Sequence, residues 1–464
     1  MVDEDKLQSI LQEFPFTLNE GQLNFIYSYI NGDGHFSLLG EAGSGKSLII
    51  QVLKRYYGDE MLLSAATGVA NQSLMNQQGG NGTCHRVFSL PLYMNDLIAM
   101  TKVKRACSEL FASSDLVKHV VVDEFYMLNP EHLQVMLKRL ERFNKKTAKR
   151  QRRIIRILGV GDPCQIPAVL SDKDRTYLQQ TYGSHLMFKS SVWDKFNPTI
   201  KALDEVMRQG DKVFKAALNV LRYGEEHRYD GVLSWLNRQV NHNYDRSMFT
   251  VATYNKTVES VNNRVLQANP NHKIAFTAHS SGYFNFKDNN VEEEIVLCEG
   301  LECITLVNDQ EGQYSNGSFC KITSLSTDGA YCYFPHNNSE VFIGLHEYEQ
   351  TESHVEKGVQ QEDGSVRDVL KRSTVGKAAQ IPLLQSSAFS CHRSQGRTFN
   401  KDGVLDMGFG FREDNDFGVN LLYVGLSRWT DVNMIHLPKP LKHNHIKVCR
   451  ESINFWKECT NEQT

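Results

Sequence analysis

One short glycine-rich segment restricts the possible folds of this chain more than any other feature. Residues 40–47 read GEAGSGKS; they follow the apolar run HFSLLG and precede the helix-forming run LIIQVLKRYY. The order strand, glycine-rich loop, helix is that of a phosphate-binding loop, or P-loop. Glycines let backbone N–H groups turn toward phosphate oxygens, and the helix N-terminus adds partial positive charge. The segment therefore predicts an α/β fold that binds a nucleotide.

Each residue of this loop has an expected task. The side chain of Lys46 reaches the β- and γ-phosphates, and Lys46 is therefore also counted among the catalytic residues. The hydroxyl of Ser47 holds the Mg²⁺ that accompanies the phosphates. The predicted phosphate-binding residues are Gly40, Gly43, Ser44, Gly45, Lys46 and Ser47.

A second motif places two carboxylates at the end of an apolar strand. Residues 116–124 read LVKHVVVDE, which is the Walker B form of a buried strand followed by acids. Asp123 is predicted to hold Mg²⁺ through water or together with Ser47, and Glu124 to polarise the attacking water. Strands that end in acids are common, but downstream of a P-loop this one predicts nucleotide hydrolysis.

The pattern of apolar runs divides the chain. Short runs alternate with helical patterns through the first 200 residues, as in parallel sheets with crossover helices. This predicts a first lobe over residues 1–198. A similar alternation begins at TIKAL (199–203) and predicts a second lobe over 199–281 and 381–464. Between them, residues 282–380 carry dense turn signals and short β-branched runs, which indicates a β-rich insertion, with 349–373 as a hairpin or a mobile loop.

The composition sets wider limits. A chain of 464 residues exceeds one ordinary core of roughly 100–200 residues, so two or more domains are expected. The net charge of −3 gives no global positive field, so nucleic acid would have to bind a local stripe. Ten cysteines without a CxxC pair indicate reduced thiols of a cytosolic protein. No apolar run of about 18 residues occurs, so a soluble protein without a membrane partner is predicted.

Seven further blocks occur in order along the chain. They are LNEGQ (18–22), AATGVA (65–70), TCH (83–85), GDPCQIP (161–167), EVMRQ (205–209), HRSQGRT (392–398) and YVGLSR (423–428). Their order and content resemble the motifs of superfamily 1 DNA helicases of the RecD/Dda/Pif-like group, and the resemblance spans nearly the whole chain. It implies two RecA-like lobes with parallel sheets, a small pin subdomain at about 86–114 and an SH3-like fold for the β-rich insertion.

The resemblance also assigns roles. It implies that Gln22 reads the adenine edge, that Gln165 senses the γ-phosphate, and that the backbone of Gly396 approaches that phosphate. Arg208 and Arg428 are expected to be arginine fingers, a role worth roughly 10³–10⁵ in rate. The residues expected to line the single-strand groove are Thr67, His85, Thr253, Ser387 and His392.

The function that follows is an ATP- and Mg²⁺-dependent helicase that moves along single-stranded DNA and unwinds forked duplex. The resemblance implies 5′→3′ travel. Two alternatives remain open: an ATP-switched DNA-binding or loading subunit with little unwinding of its own, and an RNA helicase. A monomer in the cytoplasm of a bacterial or phage-infected cell is expected, with roles in replication, repair or recombination. A single-strand-binding or replisome protein is a candidate partner.

Two regions have competing interpretations. Within the pin segment, Phe88, Tyr93 and Met94 are candidates for stacking on a base, at about 1–3 kcal/mol each, and equally for core packing. Residues 138–156 carry ten Lys or Arg and one Glu, which fits a phosphate-tracking rim or a solvated helix and loop. The apolar stripe of the first helix, which includes Leu11 and Phe14, is expected to be structural.

Overall fold

The structure is a computed structural model. It describes residues 2–15, 17–67, 70–71, 74, 81–91, 94–96, 100–104, 107–108, 111, 117–148, 154–203, 205, 210–246, 248–284, 286, 291–314, 316–360, 366–395, 397–412 and 418–461. The chain divides into two compact units. The core unit comprises Met1–Met94, Val103–Val258 and Phe389–Thr464, and the β unit comprises Asn95–Lys102 and Glu259–Ala388.

The strands and helices of the described residues have the following bounds. The strands are β1 Phe36–Gly40, β2 Met61–Ala65, β3 His119–Asp123, β4 Arg156–Gly161, β5 Thr199–Leu203, β6 Thr250–Ala252, β7 Lys273–Thr277, β8 His279–Gly282, β9 Glu294–Cys298, β10 Glu302–Thr305, β11 Phe319–Ser326, β12 Gly329–Phe334, β13 Ser339–Gly344, β14 His346–Gln360, β15 Val366–Gln380, β16 Leu383–Gln385, β17 Ala388–Ser390, β18 Gly403–Asp406 and β19 Ile435–His436. The α-helices are Glu4–Gln12, Glu20–Asn31, Lys46–Tyr57, Cys84–Val87, Pro130–Ala148, Asp172–Tyr182, Ser191–Phe196, Lys212–Tyr223, Tyr229–Leu236, Asn255–Ala268, Cys391–Ser394, Leu421–Leu426 and Arg450–Asn461. Among the described residues, no helix is both long enough and apolar enough to cross a membrane.

The first lobe is built on a parallel sheet with the order β2-β3-β4-β1-β5. All four strand pairs are parallel, as the alternation of strands and helices predicts. Strands β2 and β4 are buried along their whole length, as expected for strands of a parallel sheet whose faces are covered by helices. The P-loop and the DE pair follow β1 and β3, so both motifs lie at the carboxyl edge of this sheet.

Two segments that were predicted to belong to the second lobe lie on the first. Strand β5 pairs with β1 in parallel, so the boundary predicted at 198/199 cuts through the first sheet. The C-terminal helix contacts β5, and the ring of Phe455 stacks on Phe188 with centroids 4.5 Å apart. Apolar edge strands and helices fit either sheet equally well, so tertiary contacts alone decide their place.

The second lobe has its own sheet with the order β17-β6-β18-β19. Strand β18 pairs in parallel with both β6 and β19. Helix Lys212–Tyr223 starts at the N-cap Asp211, whose side chain accepts from the backbone N–H of Val213. Its apolar face joins the second-lobe core around Leu405 and Trp429. The two predicted α/β lobes are thus present within the core unit.

The β unit consists mainly of antiparallel sheets. One has the order β13-β12-β11-β10-β16, a second the order β14-β15-β8, and a third pairs β7 with β9. Buried residues such as Leu297, Cys303 and Phe334 form its core. The described residues of the polar stretch at 349–373 lie in the antiparallel pair of β14 and β15, so the hairpin interpretation is confirmed. The unit extends beyond the predicted insertion of 282–380 on both sides.

Residues of the pin segment and of the basic run at 138–156 contribute to the packing of the first lobe. Phe88 is fully buried and its ring lies 5.6 Å from that of Phe111, which favours core packing over stacking on a base. Met94 is half-buried, and Tyr93 lies outside the described residues. In the basic run, Arg139 donates to the backbone carbonyl of Phe88, and Arg156 stacks 4.2 Å above the ring of Tyr29. Both arginines are nearly buried, so they hold the first lobe together.

Candidate functional site

The P-loop joins β1 to helix Lys46–Tyr57 and has the curvature of a phosphate cradle. Gly43 and Gly45 have φ of 87° and 84°, in the left-handed region that suits glycine. A Cβ on Gly45 would lie 2.2 Å from the side-chain nitrogen of Gln22, so only glycine fits there. The ammonium of Lys46 donates to the carbonyl oxygens of Gly40 and Glu41, each at 2.8 Å. The loop therefore holds its lysine against its own backbone, and binding of the phosphates by Lys46 stays a prediction.

Gln22 is fully buried behind the loop. Its side-chain nitrogen donates to the carbonyl of Ser44 at 3.1 Å, and its side-chain oxygen accepts from the backbone N–H of Asn19 at 3.0 Å. The second contact belongs to a capping box at the start of helix Glu20–Asn31. Gln22 thus supports the shape of the P-loop, and adenine recognition by its amide stays a prediction.

Asp123 is the last residue of β3, and Glu124 follows it beside the loop. Burial first, and the charge of Glu124 second, raise the pKa of the Asp123 carboxyl to about 7, while the nearby ammonium of Lys46 acts in the opposite direction. Glu124 has φ of 52°, an uncommon conformation for a residue with a side chain. Strained backbone of this kind concentrates at functional sites. Asp123, Glu124 and Lys46 are therefore brought together, as predicted from the two motifs.

Gln165 follows β4 at the same edge of the sheet. It is 4% exposed, and its side-chain nitrogen donates to Asp162 at 3.4 Å. Its side-chain oxygen is buried without a hydrogen-bond partner. A buried acceptor without a donor costs about 1–3 kcal/mol, so such a site favours a donor such as a water or a ligand group. Gln165 thus lies at the same edge of the sheet as the P-loop and Asp123, and its sensing of the γ-phosphate stays a prediction.

The second lobe contributes Arg428, which is fully buried at the end of helix Leu421–Leu426. Its guanidinium donates to the carbonyl of Val424 at 2.9 Å and to the hydroxyl of Ser427 at 2.8 Å. Burial lowers the pKa of Arg428, and the charge of Glu124 opposes that change. Arg428 therefore lies within electrostatic range of Glu124 but is held by its own lobe. Arg208 and Gly396 lie outside the described residues.

Two second-lobe residues that sequence reasoning did not assign also reach the first lobe. The side-chain nitrogen of Gln395 donates to the Glu124 carboxylate at 3.5 Å, and the other end of its amide is buried without a partner. Arg222 forms ion pairs with Asp162 and with Glu41 of the P-loop. Gln395 stands inside the HRSQGRT block, so the block was a usable signal; no motif pointed to Arg222.

The residues predicted to line a DNA groove are spread over the chain. Thr67 accepts the backbone N–H of Ala70 at 3.2 Å, and the ring of His85 lies 5.0 Å from that of His132. Burial, and then the charge of Lys104, lower the pKa of His85, so the ring is neutral near pH 7. These two first-lobe residues lie on neighbouring segments, since Ala65 bridges to Thr83.

The other three lie after β6 and around β17. Thr253 is 3% exposed and its hydroxyl donates to the carbonyl of Asp406 at 3.5 Å, so here it stabilises the second-lobe sheet. Burial lowers the pKa of His392, which stands in the short helix Cys391–Ser394. Ser387 belongs to the β unit and accepts from the side-chain nitrogen of Gln385 at 3.0 Å. A common groove for all five stays a prediction.

These features fit a nucleotide with its metal ion. The donor set of the P-loop suits phosphates, a hydroxyl at Ser47 and a carboxylate at Asp123 are hard oxygen ligands of the kind Mg²⁺ prefers, and Gln165 offers a buried acceptor. A parallel sheet with this loop after β1 and an acidic pair after β3 defines a P-loop nucleoside triphosphatase with two lobes.

Comparison with known proteins narrows this class. Residues 18–222 match the family model of the PIF1-like helicases, so this part of the chain is similar to that family. Among curated protein sequences, none matches the chain. The predicted resemblance to helicases of the Pif-like group is thereby confirmed for residues 18–222.

Several solved structures are similar to this chain over nearly its whole length. The Pif1 helicase from Bacteroides bound to single-stranded DNA is similar with a TM-score of 0.79 and 20% identity, covering 97% of this chain and 98% of that one. The same values hold for Bacteroides Pif1 in complex with ADP-AlF3 and single-stranded DNA. The Pif1 helicase from Candida albicans is similar with a TM-score of 0.67 and 20% identity, covering 96% and 99%. At this identity the matches establish the fold, and the predicted fold class of two RecA-like lobes is confirmed.

Proposed function

We propose that this chain is an ATP-dependent DNA helicase that moves along one strand and separates a forked duplex. The observation that carries the proposal is the position of Glu124. It follows the first-lobe strand β3 beside Lys46 and Asp123, and Gln395 of the second lobe donates to its carboxylate. A hydrolytic residue in contact with the opposite lobe gives each ATP cycle a direct route to lobe movement.

The first-lobe residues supply the chemistry. Ser47 and Asp123 would hold Mg²⁺, which offsets the negative charge of the phosphates when it is bound. Lys46 binds the terminal phosphates. Glu124 takes the proton of the attacking water, and the orphan oxygen of Gln165 accepts a hydrogen bond from a group at the γ-phosphate.

An apolar cavity suits the base of the nucleotide. It measures about 610 Å³, and Leu11, Phe14, Leu18, Tyr27 and Leu48 contribute to its lining. Leu48 directly follows the P-loop residues Lys46 and Ser47, so the cavity adjoins the phosphate site. Gln22, which contacts the loop at the carbonyl of Ser44, would supply the polar contact to adenine. The apolar stripe of the first helix then has a role beyond core packing.

The second lobe completes the reaction when the cleft closes. Arg208 and Arg428 would bind the transferring phosphoryl group, and the backbone of Gly396 would approach it. For Arg428 this requires release of its hydrogen bonds to Val424 and Ser427. The strand would pass along Thr67, His85, Thr253, Ser387 and His392. If each lobe holds it with different strength in each state, closure becomes a step.

ATP turnover with and without single-stranded DNA tests the proposal. We expect strong stimulation by DNA in the wild-type chain, and loss of the stimulated rate in Lys46→Ala. Lys54→Ala is the matched control, because Lys54 lies on the same helix and donates to the carbonyls of Gly58 and Met61, away from the loop. Equal low rates for the wild-type chain with and without DNA would contradict the proposal.

Strand displacement separates the proposal from its alternatives. The purified chain should unwind a forked duplex by itself, whereas a loading subunit would bind the fork without displacing a strand. Stimulation by DNA should exceed stimulation by RNA of the same sequence, and the reverse would indicate an RNA helicase. Duplexes with a single 5′ or 3′ tail report the direction, for which we propose 5′→3′.

The cellular setting is also proposed. All ten cysteines are free thiols, which suits the reducing cytoplasm of a bacterial or phage-infected cell. Because both sides of the site come from one chain, a monomer suffices for hydrolysis. A single-strand-binding or replisome protein is the proposed partner, in replication, repair or recombination.

A further inference from the structure

Arg222 occupies an unusual place for a charged side chain. It lies near the end of helix Lys212–Tyr223 and is fully buried. The apolar face of that helix, with Phe214, Leu218 and Leu221, belongs to the core of the second lobe. Charged side chains are almost never fully buried without partners, so the contacts of Arg222 define what it does.

Its partners lie on the first lobe. One guanidinium nitrogen is 2.7 Å from a carboxylate oxygen of Asp162, and another is 3.3 Å from a carboxylate oxygen of Glu41. Glu41 is the second residue of the P-loop, and Asp162 stands three residues before Gln165 in the GDP block. The ring of Trp456 covers the guanidinium at 3.9 Å. One second-lobe side chain therefore holds both phosphate-facing loops of the first lobe.

Two tyrosine hydroxyls complete this cluster. Tyr223 donates to the carboxylate of Glu41 at 2.7 Å. Tyr423, from the YVGLSR block, donates to Asp162 at 3.4 Å and accepts the backbone N–H of Ala42 at 3.4 Å. Each of these ion pairs and hydrogen bonds joins a second-lobe residue to the P-loop or to the GDP block. The cluster therefore links the two lobes.

The two buried carboxylates require a cation beside them, and the geometry of the contacts favours an arginine. Burial alone would lower the pKa of Arg222, but the carboxylates of Asp162 and Glu41, with the neighbouring Cys164 and Tyr423, raise it well above its usual value. The guanidinium is a planar fork whose separate N–H groups serve both carboxylates at once. A lysine ammonium keeps the charge but is a single point, so it cannot hold two loops in the same geometry.

We propose that Arg222 is a positioning residue that ties the P-loop and the GDP block to the second lobe and so aligns them for ATP hydrolysis. This inference rests on the proposed function, because it concerns the same nucleotide site. Arg222 makes no direct contact with the residues that are assigned to the phosphates or to the metal ion. It acts through Glu41 and Asp162, and its loss should change the rate of the chemical step more than nucleotide binding.

The test compares Arg222→Lys with Arg228→Lys in the full chain. Arg228 is the matched control because it makes the same kind of ion pair, with Glu225, at the surface. We measure kcat and KM for ATP with saturating single-stranded DNA, and the thermal unfolding midpoint. Small misplacements far from the chemistry can cost about a hundredfold, so Arg222→Lys should lower kcat at least about tenfold while KM changes less than about threefold. Arg228→Lys should stay within about twofold of wild type in both.

A double variant shows whether Arg222 and Asp162 act through one shared contact or affect kcat independently. If Arg222 and Asp162 act as one unit, Asp162→Asn in the Arg222→Lys background should lower kcat by no more than about threefold further. A double variant as low as the product of the single effects would overturn the proposal. So would Arg222→Lys with kcat within about threefold of wild type, or with a change in KM alone.

A milder variant covers the case in which Arg222→Lys does not fold. Tyr423→Phe removes one hydroxyl of the cluster and keeps the ring, and it should lower kcat about threefold or more with KM unchanged. Wild-type kinetics in Tyr423→Phe would then overturn the link. A wild-type chain without ATP turnover would instead overturn the proposed function, so the two failures are distinguishable.

Discussion

The two sides of the nucleotide cleft differ in how far their residues are already in place. On the first lobe, Lys46, Asp123 and Gln165 lie at the carboxyl ends of adjacent parallel strands. On the second lobe, Arg428 is turned onto Val424 and Ser427 of its own lobe. The ends of parallel strands place the residues of the first side, whereas Arg428 depends on lobe movement to reach the nucleotide. First-lobe variants should therefore affect binding or chemistry directly, and second-lobe variants should affect mainly the closed state.

The largest expected effect is that of Arg428→Ala. An arginine finger is worth roughly 10³–10⁵ in rate, so DNA-stimulated kcat should fall by about a thousandfold or more. Affinity for ATP should stay within about threefold, because the first lobe binds the phosphates without this side chain. Steady-state kinetics and nucleotide titration measure the two quantities. If Arg428→Ala changes only the affinity for ATP, the second lobe acts on binding as the first lobe does, which would contradict the proposed difference between the two sides.

On the first lobe, Glu124→Gln removes the proposed general base and keeps the shape of the side chain. General-base catalysis contributes about 10²–10⁴, so kcat should fall by that factor while ATP still binds. The amide can still meet Gln395, so the contact between the lobes is kept. Turnover above about half of the wild-type rate would show that another group takes the proton.

A glycine pair tests how strictly the first side is preformed. Gly45→Ala adds a Cβ at φ 84°, 2.2 Å from Gln22, and should lower both ATP affinity and the free energy of unfolding, the latter by about 1–3 kcal/mol. Gly231 is the control: it lies in helix Tyr229–Leu236 with open space at its Cβ position. Gly231→Ala should raise the free energy of unfolding by about 0.5–1 kcal/mol. Denaturant titration measures both, and an unchanged Gly45→Ala would show that the loop adapts.

The smallest effect concerns pH and the first-lobe core. Burial, then the charges of Arg156 and Lys118, lower the pKa of His119 to about 3, below its ordinary value. Below pH 6.5 the unfolded chain therefore binds a proton that the folded chain does not. The contribution of His119 is complete above that pH and falls as pH decreases toward about 3, by about 1.4 kcal/mol per pH unit. Unfolding midpoints of wild type and His119→Asn at pH 7.5 and 5.5 measure this.

The matched control for that experiment is the exposed His227, where the same substitution should leave the pH dependence as in wild type. His119→Asn should weaken the dependence, because the amide oxygen can still accept from Tyr29 and Arg156 without taking up a proton. Equal pH dependence in wild type and His119→Asn would contradict the assignment.

The sequence predicted the first side of the cleft much better than the second. Asp123 and Glu124 lie at the end of an apolar strand, and Lys46 follows another through the glycine-rich loop. The carboxyl ends of parallel strands meet at one edge, so local patterns suffice. Strand β5 was misplaced because TIKAL has no feature that distinguishes the edge of one sheet from another. Arg222 could not be found, since Glu41 is 181 residues away along the chain and only the fold brings the two together.

The proposed mechanism requires that one nucleotide is shared by both lobes. A crystal structure of the chain with ADP, aluminium fluoride and single-stranded DNA tests this directly, through the distance from the Arg428 guanidinium to the fluoride group beside Lys46. We predict about 3 Å, with the contacts to Val424 and Ser427 broken. A guanidinium that still donates to both of those groups, with the fluoride beyond hydrogen-bond distance, would contradict the account.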